Sequence, residues 1–362
     1  MGRQYRKLDQ LMMSLGDKEA TYDAGPAAWT LGAAFQLYEF GEAFAVWDDR
    51  IVTDEATVHG SIYPTADSIV LQDVRLAYPE PRARYTPLAG LAALAGGVVS
   101  ASQDAALTAY RHKITPVAAD VELPSIGVVE KAAGLQYLYT GIKADTLRLK
   151  RGGPERAYWE LEAGLIGSGT RAADSTAFPA KVSEDPIPWG KTFCWLETGT
   201  DINLAATPTQ GTEDISSATP DNFTARLLDV TFEHRNDLQA DDGYTASSGV
   251  VRNRLVHGPG RGATVSITLI VDPATLAAEL AYYTGRANCA LEVEVDSGTI
   301  IAETGTMKWG FDLVIPRLRL NPPARGVDRG VNTITLSGRC FDDGTNPLWQ
   351  LYVYNAQAAF LA

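Results

Sequence analysis

SIVLQDVRLAY at residues 68–78 and ATVSITLIV at residues 263–271 each open a stretch that runs through the same order of elements. After the first come Thr86-Pro87, the apolar run LAGLAALAGG (88–97), then LYTGIKADTLRLK (138–150) and AYWELEAGLIG (157–167). After the second come Asp272-Pro273, ATLAAELAYYTG (274–285), then MKWGFDLVIPRLRL (307–320) and VNTITLSGR (331–339). A Val-His-Gly triplet precedes both, at residues 58–60 and 256–258. Thr and Asp cap helix N-termini, Pro suits the first helical position, and Gly closes a helix. The repeat therefore predicts a mainly β chain of two tandem β-sandwich or barrel-like modules, each with one short flanking helix. Two linked copies of one module act like two neighbouring subunits of a ring.

Size agrees with two modules, because 362 residues exceed what one core usually serves. Residues 1–34 form an N-terminal arm that needs a partner surface to order it. A first module is expected over 35–185 and a second over 186–362. Between them, residues 168–222 are rich in Pro, Ser, Thr, Asp and Gly, the composition of a linker around the apolar TFCWLE. The second module carries a long polar loop, 236–254, and ends in the apolar NPLWQLYVYNAQAAFLA, which should dock on something.

The net charge of −13 opposes tight binding to a phosphate backbone while permitting contact without adhesion. Cys194, Cys289 and Cys340 are widely spaced and suit a core in a reducing cytosol better than a disulfide frame or zinc site. No stretch is long and apolar enough for a signal peptide or a membrane span. His59, His112, His234 and His257 match no metal-binding spacing. The Gly258–Gly262 run is followed by a strand where a phosphate loop would open a helix, so a turn is expected. No cofactor, metal or catalytic role is assigned.

Carboxylates alternate with apolar residues at Glu160 and Glu162 in WELE, and at Glu292, Glu294 and Asp296 in LEVEVD. With a strand period of two, each set forms one wet acidic face opposite Trp159/Leu161 or Leu291/Val293/Val295. A glycosidase would need two carboxylates facing each other across a cleft. In the loop, Asp237, Asp241 and Asp242 lie on one limb and Arg252 and Arg254 on the other, a pattern suited to pairing across an interface.

The segment KEATYDAGPAAWT (18–30) is similar to a "KETTYGT-P" motif near the start of tail tube (major tail) proteins of long, flexible-tailed bacteriophages. TAYRHKITPVAADVELPSIGVVEKAAGLQYLYTGIKADTLRLK (108–150) resembles their Tyr-x-His, Leu-Pro-Ser turn, Tyr-x-Gly and Leu-x-Leu hairpin. LAGLAALAGG occupies the place of their "LLxxALG" helix. Asp23 stands where Gly is commoner, and Lys113-Ile114 replaces Thr-Phe. The resemblance implies a virion protein made in the bacterial cytoplasm. Its trimers would imitate hexameric rings, and the rings would stack through the arm, the loop and the C-terminal tail. Its partners would be itself, a tape-measure protein, tail-end proteins and DNA in transit, with no membrane. The five strand carboxylates become candidates for the lumen, and the five loop residues candidates for ring-to-ring contact. A distal-tail or terminator protein, or a carbohydrate-binding β-sandwich or glycoside hydrolase, is the alternative.

Overall fold

The computed structural model describes residues 10–25, 45–53, 67–105, 107–132, 135–152, 157–178, 184–198, 208–213, 215, 220–240, 255–274, 276–284, 288–342 and 344–361. The first copy contains β1 (Gln10–Met13), β2 (Ala45–Thr53), β3 (Asp67–Glu80), α1 (Tyr85–Gly96), β4 (Gly97–Gln103), β5 (Tyr110–Pro116), β6 (Ile126–Ala132), β7 (Leu135–Gly152), β8 (Tyr158–Ile166) and β9 (Arg171–Ala173). The second contains β10 (Thr192–Thr198), β11 (Asp221–Asn222), β12 (Leu227–Arg235), β13 (Leu238–Ala240), β14 (Leu255–His257) and β15 (Gly262–Ile270). It continues with α2 (Leu276–Thr284), β16 (Cys289–Ile300), β17 (Lys308–Leu320), β18 (Ala324–Asp328), β19 (Val331–Cys340) and β20 (Gln350–Asn355). The chain is mainly β and sandwich-like, built from antiparallel pairs.

The duplication is written in the strand pairing. In the first copy β1 pairs β6, β6 pairs β7, β7 pairs β9, β2 pairs β3, and β8 pairs both β3 and β7. The second repeats that map with β10–β16, β16–β17, β17–β20, β12–β15, β15–β19 and β17–β19. β3, β7 and β8 therefore correspond to β15, β17 and β19, as the repeated sequence stretches require. In both copies one long strand passes between sheets. β7 pairs β6 up to Ile142 and β8 from Lys143 onward. β17 pairs β20 at Gly310–Val314 and β19 at Leu318–Leu320.

One core serves both copies. Trp159 and Leu149 of the first and Phe232, Phe311 and Trp349 of the second belong to a single buried cluster. Trp159 is edge-on to Phe311 at 5.2 Å between centroids, and its ring N–H donates to the Thr192 hydroxyl at 3.1 Å. The large aromatics carry much of the burial energy, so Trp159→Ala would cost about 3–5 kcal/mol.

The two helices differ in a way the repeat does not show. α1 is buried along its whole length, from Tyr85 to Gly96. Its sequence has no charged residue and so offers no solvent face, which is the signature of a helix inside a core. α2 has exposed Ala277, Ala281 and Thr284 and lies at the surface as expected. The cap of α1 also differs. Thr86 lies inside the helix, and the Glu184 carboxylate, from the stretch expected to be a linker, accepts the Thr86 N–H at 2.9 Å and the Thr86 hydroxyl. Gly97 ends the helix with φ +92°, where a side chain would be strained.

Residues around Glu184 are fixed to the body. The Trp159 N–H donates to Ile187 O at 3.1 Å, and the Ile187 N–H to Ala83 O at 2.8 Å. Residues 10–15 and 350–361 dock on the body of the chain. β1 pairs β6, while β20 lies between β17 and β5. Phe360 packs edge-on against His112, and the Leu361 N–H donates to Leu15 O at 2.9 Å. Residues 10–25 of the arm thus find their partner surface within the chain. Among the described residues, no helix is long and apolar enough to cross a membrane.

Candidate assembly surfaces

The copies are joined by two backbone seams. Thr146–Lys150 of β7 pairs Thr231–Arg235 of β12, and Tyr110–Ile114 of β5 pairs Leu351–Asn355 of β20. The first seam makes one continuous sheet in the order β2-β3-β8-β7-β12-β15-β19-β17, the same four-strand order twice. Among the described residues, β2 at one end pairs only β3. At the other end, again among the described residues, β18, which follows the tip of β17, pairs only β19. An unpaired edge is a template for another strand. On β18, Ala324 to Val327 are exposed, with Val327 at 69%.

The five strand carboxylates do not share one face. β8 alternates with Glu160 and Glu162 half-exposed, while Trp159 and Leu161 enter the core. β16 sends Leu291, Val293 and Val295 into the same core from the other sheet, so Glu292, Glu294 and Asp296 point out on the opposite side. There the expectation of a wet face fails. Glu292 is fully buried and Glu294 is 2% exposed. The cover comes from residues 208–213 and a second apolar cluster of Trp195, Ile215, Val314, Tyr352 and Tyr354. The Glu294 carboxylate accepts the Gly211 N–H at 2.7 Å, and Asp296 pairs with Lys308 at 2.6 Å. Asp312, which sequence reasoning missed, is buried directly opposite Glu294 on β17. Its signal was there: FDL alternates like the carboxylate strands. With the two sets on opposite sides, WELE and LEVEVD do not confront each other across a cleft.

On the continuous sheet the acids are interleaved with cations. Lys150 Nζ lies 3.2 Å from Glu160 and 2.7 Å from Glu162, and Arg148 lies 3.5 Å from Glu162. Glu233 is opposite Arg148 in the register and lies 3.6 Å from Arg235. The neighbouring strands add the hydroxyls of Thr231, Ser266, Thr268, Ser337 and Thr335 in register. The expected carboxylate lining is here a mixed ion-pair and hydroxyl face. Burial lowers the Lys150 ammonium, but the hydrogen bonds it donates to Glu162 and Glu160 outweigh this and hold it above its usual value.

The long loop begins and ends in structure of its own, because Leu238–Ala240 pairs Leu255–His257 as a stem. That stem is tied to the first copy. The Asn236 and Leu238 N–H groups donate to Asp145 at 2.7 Å each, and the Asn236 amide donates to Ala95 O and Ala144 O. Asp237 is committed inside the chain. It sits at φ +52° and accepts the Gly260 N–H at 2.7 Å, stabilising the turn of the glycine run. Asp237 therefore has a role in the stem of the loop. Asp241, Asp242, Arg252 and Arg254 lie outside the described residues, as does His59.

The KEATYD segment explains its own residue pattern. Glu19, 5% exposed, accepts N–H groups from Asp23 (3.0 Å), Gly25 (3.1 Å) and Gly141 (2.9 Å), and the Ser125 hydroxyl at 2.6 Å. Gly141, at φ +65°, lies where β7 leaves one sheet for the other, so Glu19 holds that bend. Asp23 sits at φ +66°, the region that favours Gly. Its carboxylate accepts the hydroxyls of Thr140, Ser168 and Thr170, which offsets the strain.

The three cysteines and two of the histidines are packed in the interior. Burial pushes the thiol of Cys289 up to about 11 and that of Cys340 to about 12, and raises Cys194 further. His112 and His234 are fully buried. Burial depresses both, His234 to about 4. Among the described residues no group of three His, Cys, Asp or Glu is placed to hold a metal ion. Compared with known proteins, the chain matches no family model and no curated protein sequence.

Proposed function

We propose that this chain is a self-assembling structural subunit of the tail tube of a long, flexible-tailed bacteriophage. Three chains close a ring with pseudo-sixfold symmetry, rings stack into a hollow tube, and DNA passes through it. The observation that carries this reading is the doubled four-strand order with a paired seam between its halves. β7 of the first copy pairs β12 of the second, so the equivalent β17–β18 edge of one chain fits the β2 edge of the next. Such an interface is heterologous, and it closes a ring when its rotation does. The continuous sheet forms the inner wall in this reading. The tape-measure and tail-end proteins are its further partners, and the virion tail its location. Electron microscopy of the purified chain tests the proposal: long hollow tubes support it, single rings point to a distal-tail or terminator role, and monomers at every concentration refute it.

A further inference from the structure

The exposed face of the continuous sheet contains cations that a DNA-conducting wall should not offer. Arg148 and Lys150 of β7 and Arg235 of β12 lie at the seam between the copies. Each Lys or Arg that neutralises a phosphate releases condensed counterions, so even a few such cations hold a polyanion at moderate salt. Here each has a carboxylate beside it. Glu162 touches both Lys150 and Arg148, Glu160 touches Lys150, and Glu233 touches Arg235. These six side chains sum to zero charge.

Stability does not account for the arrangement. The pairs are between 23% and 57% exposed, and such pairs contribute about 0–1 kcal/mol each. Nor would an all-acidic face serve as well, because like charges directly opposite on neighbouring strands destabilise a sheet. Alternating Glu162, Arg148 and Glu233 across β8, β7 and β12 avoids that repulsion. It also occupies each cation before a phosphate arrives, since a phosphate must first break an ion pair.

We infer that Glu160 and Glu162 are built-in counterions that keep Arg148 and Lys150 from holding a nucleic-acid phosphate backbone. The place of this mask in a tube wall rests on the proposed function, but its chemistry belongs to the single chain and is measurable there. Glu160→Gln with Glu162→Gln in the full chain frees two cations. Binding to a short DNA duplex, followed by fluorescence anisotropy over a salt series, should then steepen in its log–log slope by about 2. That corresponds to about tenfold more affinity gained between 200 and 50 mM salt than the unaltered chain gains. Adding Lys150→Met and Arg148→Met should return the slope to its starting value. A folded double variant that binds DNA no better than the unaltered chain overturns the inference. Lys150→Met with Arg148→Met alone should leave DNA binding unchanged, and a loss there overturns it as well, whether or not the Gln variant folds. Micrographs of the unaltered chain decide the tube separately. A DNA gain without tubes keeps the mask and discards its place in a wall, whereas tubes without a gain discard only the mask.

Discussion

Glu80 makes stability depend on pH in an unusual direction. Its carboxyl is 5% exposed at the end of β3, where it accepts the Tyr78 hydroxyl at 3.1 Å and pairs with Arg84 at 2.8 Å. Burial raises it from 4.5 to about 7, against the lowering effect of Arg84 and with a smaller contribution from Glu184. A carboxyl raised on folding binds its proton more tightly in the folded chain. The associated stability is fully present below pH 4.5 and is lost as the pH rises through 7. A difference of 2.5 between the two values corresponds to about 3 kcal/mol. Glu80→Gln keeps the shape and an acceptor for Tyr78 but cannot ionise. Relative to the unaltered chain, this variant should gain about 3 kcal/mol between pH 4.5 and 8, measured by urea unfolding at several pH values. His234, depressed to about 4, works in the other direction: its contribution is present above pH 6.5 and lost as the pH falls toward 4. That acid limb is common to both proteins and cancels in their difference. A difference that stays constant within about 0.5 kcal/mol from pH 4.5 to 8 would refute the reasoning.

Other side chains give further tests. Glu184→Ala removes the cap on α1 and should cost about 1 kcal/mol, read from the shift in the urea midpoint, whereas a purely passive linker residue would cost nothing. Glu19→Ala leaves the Gly141, Asp23 and Gly25 N–H groups without their acceptor and should cost about 3 kcal/mol or more, with faster amide exchange at Gly141. Unchanged exchange at Gly141 would show that Glu19 does not hold the β7 bend.

Much of this arrangement was legible in the sequence. The alternation of AYWELEAGLIG appears as strict in-and-out burial along β8, and the matched stretches became equivalent strands with equivalent partners. Local pattern failed where distant chain supplies the environment. LEVEVD alternates as cleanly as WELE, yet Glu292 lies buried opposite Trp195 and Val314, and Glu294 is buried where Gly211, from a polar segment without periodicity, donates to it. Likewise nothing near Thr86 signals that its cap is Glu184, 98 positions away. Asp237 looks like a free loop acid until its positive φ and its bond to the Gly260 N–H are seen. The buried state of α1 was the exception. A helix without a single charge announces a core position.

The central claim is that the doubled sheet makes one chain equal to two ring positions, and the mass of an isolated ring tests it most directly. Rings released from tubes by mild dissociation, measured by native mass spectrometry, should contain three chains and therefore six copies of the repeat. Rings of six chains, with twelve copies, would contradict the account.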